Sequence, residues 1–154
     1  GETDAAKPFI EKALRCNSSL GRIYYFRALI EKTEGRYDDS LASLRKVEAQ
    51  YPRDRVVLNQ IARILFLKRD YAGALDYCNR VCMIDPEDVQ MHYTAMLCYR
   101  GKGEADKASH EMALFQRFKA DESSQSITSS RRMVSPEDNN ERQLIHNHES
   151  VALP

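Results

Sequence analysis

One register runs through most of this chain and restricts what it can fold into. The stretch Arg55 to Asp88, RVVLNQIARILFLKRDYAGALDYCNRVCMIDPED, can be laid over the segments on either side without a gap, at a shift of 34 positions. Pro86 then falls on Pro52, and Ala74 falls on Ser40, Ala108 and, one step further back, Ala6. Cys78 meets Leu44, Met112 and Ile10, while Val81 meets Val47, Phe115 and Ala13. Leu58 matches Tyr24 and His92, Ala62 matches Ala28 and Met96, and Tyr71 matches Tyr37. A chain with this self-similarity stacks its units, each burying its apolar side against the next, so length does not have to supply one globular core.

Each unit reads as two helices and a stop. Leu58, Ile61, Ala62 and Leu65 lie at helical spacing, then Ala74, Cys78 and Val81 form a second stripe. Pro86 ends that helix, because proline lacks the amide donor and clashes with the preceding turn. Small residues at the Ala74 position let the two helices approach closely.

This pattern resembles the tetratricopeptide repeat (TPR) family, over residues 1 to about 122. The resemblance implies an all-α fold, a right-handed α-solenoid of antiparallel helix pairs. Residues 1–20 align with the second helix of a repeat whose first helix is missing, as expected of a piece of a longer protein. Full repeats occupy 21–54, 55–88 and 89–122, and 123–154 form a capping segment and polar tail. Helices are expected at about Arg22 to Lys32, Tyr37 to Gln50, Val56 to Lys68, Tyr71 to Ile84, Gln90 to Arg100 and Ala105 to Lys119. Asp4 could cap the first helix, with Pro8 tolerated early within it. Gly35 suits a left-handed position, and Gly101 and Gly103 mark the last turn. The third repeat departs from the pattern: Met96 replaces a small residue, Ala105 a turn aromatic and Ala120 the stop proline. Its packing should be looser and its second helix free to continue. The apolar side of Phe9 and Ile10 is expected to be covered by a neighbour or a crystal mate.

The resemblance places a ligand groove on the first helices of the pairs. Its positions are Arg22, Tyr25, Leu29, Lys32 and Thr33, then Val56, Asn59, Arg63, Phe66 and Leu67, then Gln90, Tyr93, Leu97 and Arg100. Tyrosines and leucines offer apolar contact, while Lys32, Arg63 and Arg100 could hold carboxylates, arginine by its planar two-donor fork. The bland alternative is that these are ordinary solvated or packing side chains. The carboxylate clamp of chaperone adaptors is not matched, since Tyr25 and Leu29 occupy its lysine and asparagine positions.

The chain is therefore expected to be a non-catalytic protein-interaction module binding a peptide or partner segment, acidic in character, with no cofactor. The alternative is a structural spacer or oligomerisation domain of a larger bacterial multidomain protein, its groove filled by its own tail. A homo-oligomer could then form through the tail or the N-terminal helix. Lys plus Arg and Asp plus Glu both number 23, so no global charge points to nucleic acid. No apolar run approaches the length of a membrane span. Glycine-rich phosphate loops, HExxH and GxSxG are absent from the sequence. The four cysteines match no disulfide framework or zinc spacing. They read as free thiols, which favours a cytoplasmic compartment slightly and leaves a periplasmic one open.

From Asp121 the composition turns serine-rich and polar, a texture that by itself favours disorder. A short cap helix over Glu122 to Met133 is expected, followed by a tail anchored by Leu144, Ile145, Val151 and Leu153. His146 and His148 would share one face of an extended segment, a weak metal-binding candidate lacking a third ligand. His92 falls on a core-like repeat position and His110 on a surface-like one.

Overall fold

The computed structural model describes the backbone of residues 2–16 and 20–134, and side chains within 5–16 and 20–119. The tail candidates Leu144, Ile145, His146, His148, Val151 and Leu153 lie outside the described residues. Two compact units are present, Gly1–Phe118 and Lys119–Pro154.

The described residues form α1 (Glu2–Cys16), α2 (Gly21–Thr33), α3 (Tyr37–Gln50), α4 (Arg55–Leu67), α5 (Tyr71–Cys82), α6 (Val89–Lys102) and α7 (Ala105–Val134). Helix α3 spans the expected residues, and the starts of the others lie within a residue of expectation where one was drawn. Asp4 lies inside α1, which begins at Glu2, so it is not the cap; Pro8 is also internal. Helix α5 stops at Cys82 rather than Ile84, with Met83 as its C-cap. Helix α7 has no break at Ala120 and runs to Val134, replacing the separate short cap helix. With no proline at that position, nothing in the backbone chemistry terminates it.

The first unit is built by pairing. Helix α2 packs on α3, and α4 on α5. Successive pairs join through α1 on α2, α3 on α4 and α5 on α6, with α4 also touching α6. The turn inside each pair repeats bond for bond. Arg36, Asp70 and Glu104 donate their amides to the carbonyls of Glu31, Leu65 and Tyr99, and Gly35, Arg69 and Gly103 donate to Lys32, Phe66 and Arg100. That geometry needs a left-handed residue, and φ is 76° at Gly35, 63° at Arg69 and 76° at Gly103. Arg69 carries the same backbone without glycine's freedom.

The first helices of the second and third repeats also share a start. Asp54 accepts from the Val56 and Val57 amides, and Asp88 from the Met91 amide. Asp88 is buried and further accepts from Asn59 Nδ2 at 3.0 Å and Arg55 Nη1 at 2.9 Å, tying one repeat to the next. Lys68 with Asp38, and Arg80 with Glu48, make similar ties.

Helix α4, flanked by a full repeat on each side, holds the densest part of the core. Leu58, Ile61, Ala62 and Ile64 are wholly inaccessible to solvent. Each of the larger three contributes about 2 kcal/mol through burial. Met96 is fully buried, so the larger residue is accommodated rather than loosening α6. Gly101, although inside α6, lies under the Tyr71 ring, where a Cβ would come within 2.4 Å of Cζ. On α1, Ile10 is half-buried toward α2, and Phe9 is 73% exposed within the single chain.

Candidate functional site

The candidate groove residues lie along α2, α4 and α6, and not one of those positions is acidic. Arg22, Tyr25, Leu29 and Lys32 recur at intervals of three and four residues, so helical geometry puts them on one side of α2. The side chains of Tyr25, Leu29 and Lys32 are half-buried, and those of Arg22, Thr33, Val56, Leu67, Gln90 and Arg100 are exposed. Arg63, Phe66, Tyr93 and Leu97 are half-buried.

Asn59 is placed differently from its neighbours. It is only 7% exposed and its amide is committed to Asp88, so it supports the junction of α4 and α6 from within. The long side chains that bridge α2 to α4 are Lys32 and Gln60: Lys32 Nζ donates to Gln60 Oε1 at 2.7 Å. Gln60 was not among the residues expected from the sequence.

Arg63 stands at the centre of this face. Its guanidinium carbon lies 5.3 Å from the Phe66 ring centroid and 5.7 Å from that of Tyr93. Two aromatic faces thus position the cation. Tyr93 in turn lies 5.2 Å from the Phe115 ring, which backs it from α7. One guanidinium nitrogen, Nη1, is buried and makes no hydrogen bond to any described residue. The Lys32 ammonium has its pKa lowered, first by burial and then by the positive charge of Arg63. Two like charges therefore share this site. Arg22, Lys32, Arg63 and Arg100 take part in no ion pair among the described residues, whereas Arg27, Arg36, Arg55, Lys68 and Arg80 are paired. A half-buried cation pair without a counter-ion is suited to receive an anion, because an opposite charge relieves both desolvation and repulsion.

A cavity of about 400 Å³ opens at the N-terminal end of the same cleft. Leu20, Arg22, Tyr25, Phe26, Val47, Tyr51, Asp54, Val56 and Val57 line it. Leu20, Phe26, Tyr51 and Val56 are exposed. The phenol of Tyr25 has a raised pKa, from burial first and the nearby Asp54 carboxylate second.

Other titratable groups have structural roles. His92 is buried, with Nδ1 2.7 Å from Glu111 Oε2 and Nε2 2.9 Å from the Pro86 carbonyl oxygen, and stacks on Phe118. His110 is exposed. Cys78 and Cys98 are buried free thiols, pushed up to about 12 and about 11 mainly by desolvation. Cys16 and Cys82 are free and exposed. Glu31, which drew no attention in the sequence, is buried; it accepts from Arg27 Nε and Ser43 Oγ, each at 2.7 Å. One signal could have found it: the equivalent residues one and two repeats on are Leu65 and Tyr99. No helix among the described residues is long and apolar enough to cross a membrane.

Comparison with solved structures gives the fold. A crystal structure of MamA, a TPR protein, superposes with a TM-score of 0.72 over 80% of this chain and 72% of that chain, at 14% identity. The chain is a TPR-like helical repeat. A MamA structure designated MSR-1 C2 aligns at TM-score 0.69 and 16% identity, covering 79% of this chain and 70% of that one. The MamA RS-1 ArsTM double mutant aligns at 0.69 and 19%, covering 75% and 65% respectively. No protein-family model and no curated protein sequence matches. With the pairing of α2 on α3 and α4 on α5, these superpositions define an all-α, right-handed α-solenoid of antiparallel helix pairs.

Proposed function

We propose that this chain is a non-catalytic protein-interaction module that holds a segment of a partner protein on the face shared by α2, α4 and α6. The partner segment is acidic. The observation that carries this reading is the Lys32 and Arg63 pair, half-buried, adjacent and without a carboxylate partner among the described residues. Arg22 and Arg100 extend the positive field along the same positions, and Tyr25, Phe66, Tyr93 and Leu97 supply apolar contact between the charges. Stacking on Phe66 and Tyr93 fixes the Arg63 guanidinium before a ligand arrives, reducing the entropy lost on binding.

The test is titration of the protein with an acidic peptide and its Gln/Asn counterpart, in wild type and Arg63→Ala. A charge-assisted contact of about 1.5–3 kcal/mol corresponds to roughly 10- to 100-fold weaker binding of the acidic peptide by the variant. Equal affinity of the two peptides for wild type, or of the two proteins for the acidic peptide, removes the acidic-partner reading.

A further inference from the structure

Building on that reading, we infer that the cleft between α2 and α4 recognises its partner segment at two points of fixed spacing: an Asp or Glu carboxylate on Lys32 and Arg63, and a large apolar side chain in the cavity bounded by Tyr25, Phe26, Tyr51 and Val56.

Three observations carry this. First, the two ends of the cleft differ in chemistry. One end presents Lys32, Gln60 and Arg63, with the Lys32 ammonium donating to Gln60 and the Arg63 Nη1 buried without an acceptor. The other is a cavity of about 400 Å³ whose exposed wall includes Phe26, Tyr51 and Val56. Its Asp54 carboxylate is engaged in capping α4 through the Val56 and Val57 amides, and beside the exposed Arg22 the remaining lining is aliphatic and aromatic.

Second, the cleft is open between the helices that frame it. Helix α4 packs closely on α6, whereas α2 and α4 are bridged by the long side chains of Lys32 and Gln60. A peptide in the extended polyproline II form can lie along such a gap and send every third side chain down into it.

Third, the helix sets the spacing. Tyr25 and Lys32 are seven residues apart on α2, which at 1.5 Å per residue is about 10 Å. Both side chains lean toward the helix N-terminus, so the offset is kept at their tips. A polyproline II peptide rises about 3.1 Å per residue with three residues per turn, so an acid and an apolar residue three positions apart share one face at about that spacing.

The test uses a fluorescent peptide series in a Gly/Ser/Ala background, each with one Phe and one Glu separated by one, three or five positions in either order, assayed by anisotropy. One order of the three-position peptide binds best, about tenfold tighter than its one- and five-position relatives. Its Glu→Gln form loses a similar factor, and Lys32→Ala abolishes the difference between Glu and Gln. Phe26→Ala weakens the Phe peptide but leaves unchanged the binding of a Phe→Ala version. If Arg63→Ala lowers the thermal midpoint, Arg63→Gln, which keeps part of the aliphatic stem, and Lys32→Ala, at the end of α2, carry the comparison. Binding that depends on Lys32 and Arg63 but is indifferent to spacing overturns the two-point inference and leaves the acidic-partner reading standing. Absence of binding by every Glu peptide overturns both. Tight binding of a phosphoserine peptide with none of the Glu series overturns the assignment to a carboxylate.

Discussion

Arg69 offers a sharp test of the repeat geometry. It occupies the left-handed turn position at φ 63°, where Gly35 and Gly103 stand in the flanking repeats at 76°. A non-glycine residue there costs roughly 1–2 kcal/mol in steric strain. Glycine removes that strain but gives back about 0.5–1 kcal/mol through the greater freedom of the unfolded chain. Arg69 takes part in no ion pair among the described residues, and its side chain is exposed, so little else changes. Arg69→Gly should therefore stabilise the chain by about 0.5–1 kcal/mol, and Gly35→Ala should destabilise it by about 1 kcal/mol. Urea unfolding followed by circular dichroism measures both, as a shift in midpoint with an unchanged slope. A loss of stability in Arg69→Gly, or a neutral Gly35→Ala, would refute the shared left-handed turn.

Further outcomes follow from the packing and the thiols. Asp88→Ala removes a cap and orphans the buried Asn59 amide, while Arg55 keeps its pairing with Asp85, and should cost about 2–3 kcal/mol, against about 1 kcal/mol for Asp54→Ala, in the same urea assay. Gly101→Ala forces a methyl against the Tyr71 ring and should destabilise by about 1–3 kcal/mol. In the folded protein Cys16 and Cys82 should react with a thiol reagent near neutral pH while Cys78 and Cys98 do not, and all four should react in denaturant. The raised thiol pKa values stabilise the fold fully below the ordinary value of 9.0, and that contribution is lost as pH rises through about 11 to 12. Stability of wild type should therefore fall more steeply above pH 9.0 than that of Cys98→Ala, measured by urea midpoints.

The helices were legible because apolar spacing recurs from repeat to repeat, with a turn glycine marking the first and third. Gly35 and Gly103 announce a left-handed turn through their chemistry, whereas Arg69 carries no such mark except its place between them in the register. The buried Glu31 and Ser43, with the exposed Arg27 bonded to Glu31, escaped notice for a related reason. Charged residues usually mean solvent, and only comparison with Leu65 and Tyr77 one repeat later shows that these positions face inward. Asn59 lies within a stripe that the sequence assigns to the groove, yet the Asp88 carboxylate from the following repeat draws its amide into the junction. Such a contact depends on how repeats stack and is not encoded in one helix. The continuation of α7 beyond Ala120 was left open by the missing proline, although the serine-rich composition suggested a break. Arg63 was named from its repeat position, while its two aromatic supports and its nearness to Lys32 emerge only when α2, α4 and α6 are brought together.

The claim that a partner segment lies on α2, α4 and α6 is tested most directly by amide chemical-shift mapping with a saturating acidic peptide. The perturbed amides should cluster on those helices around Tyr25, Lys32, Arg63 and Tyr93, with α3 and α5 little changed. Perturbations concentrated on the outward residues of α3 and α5, such as Arg45, Asp76 and Asn79, would contradict it.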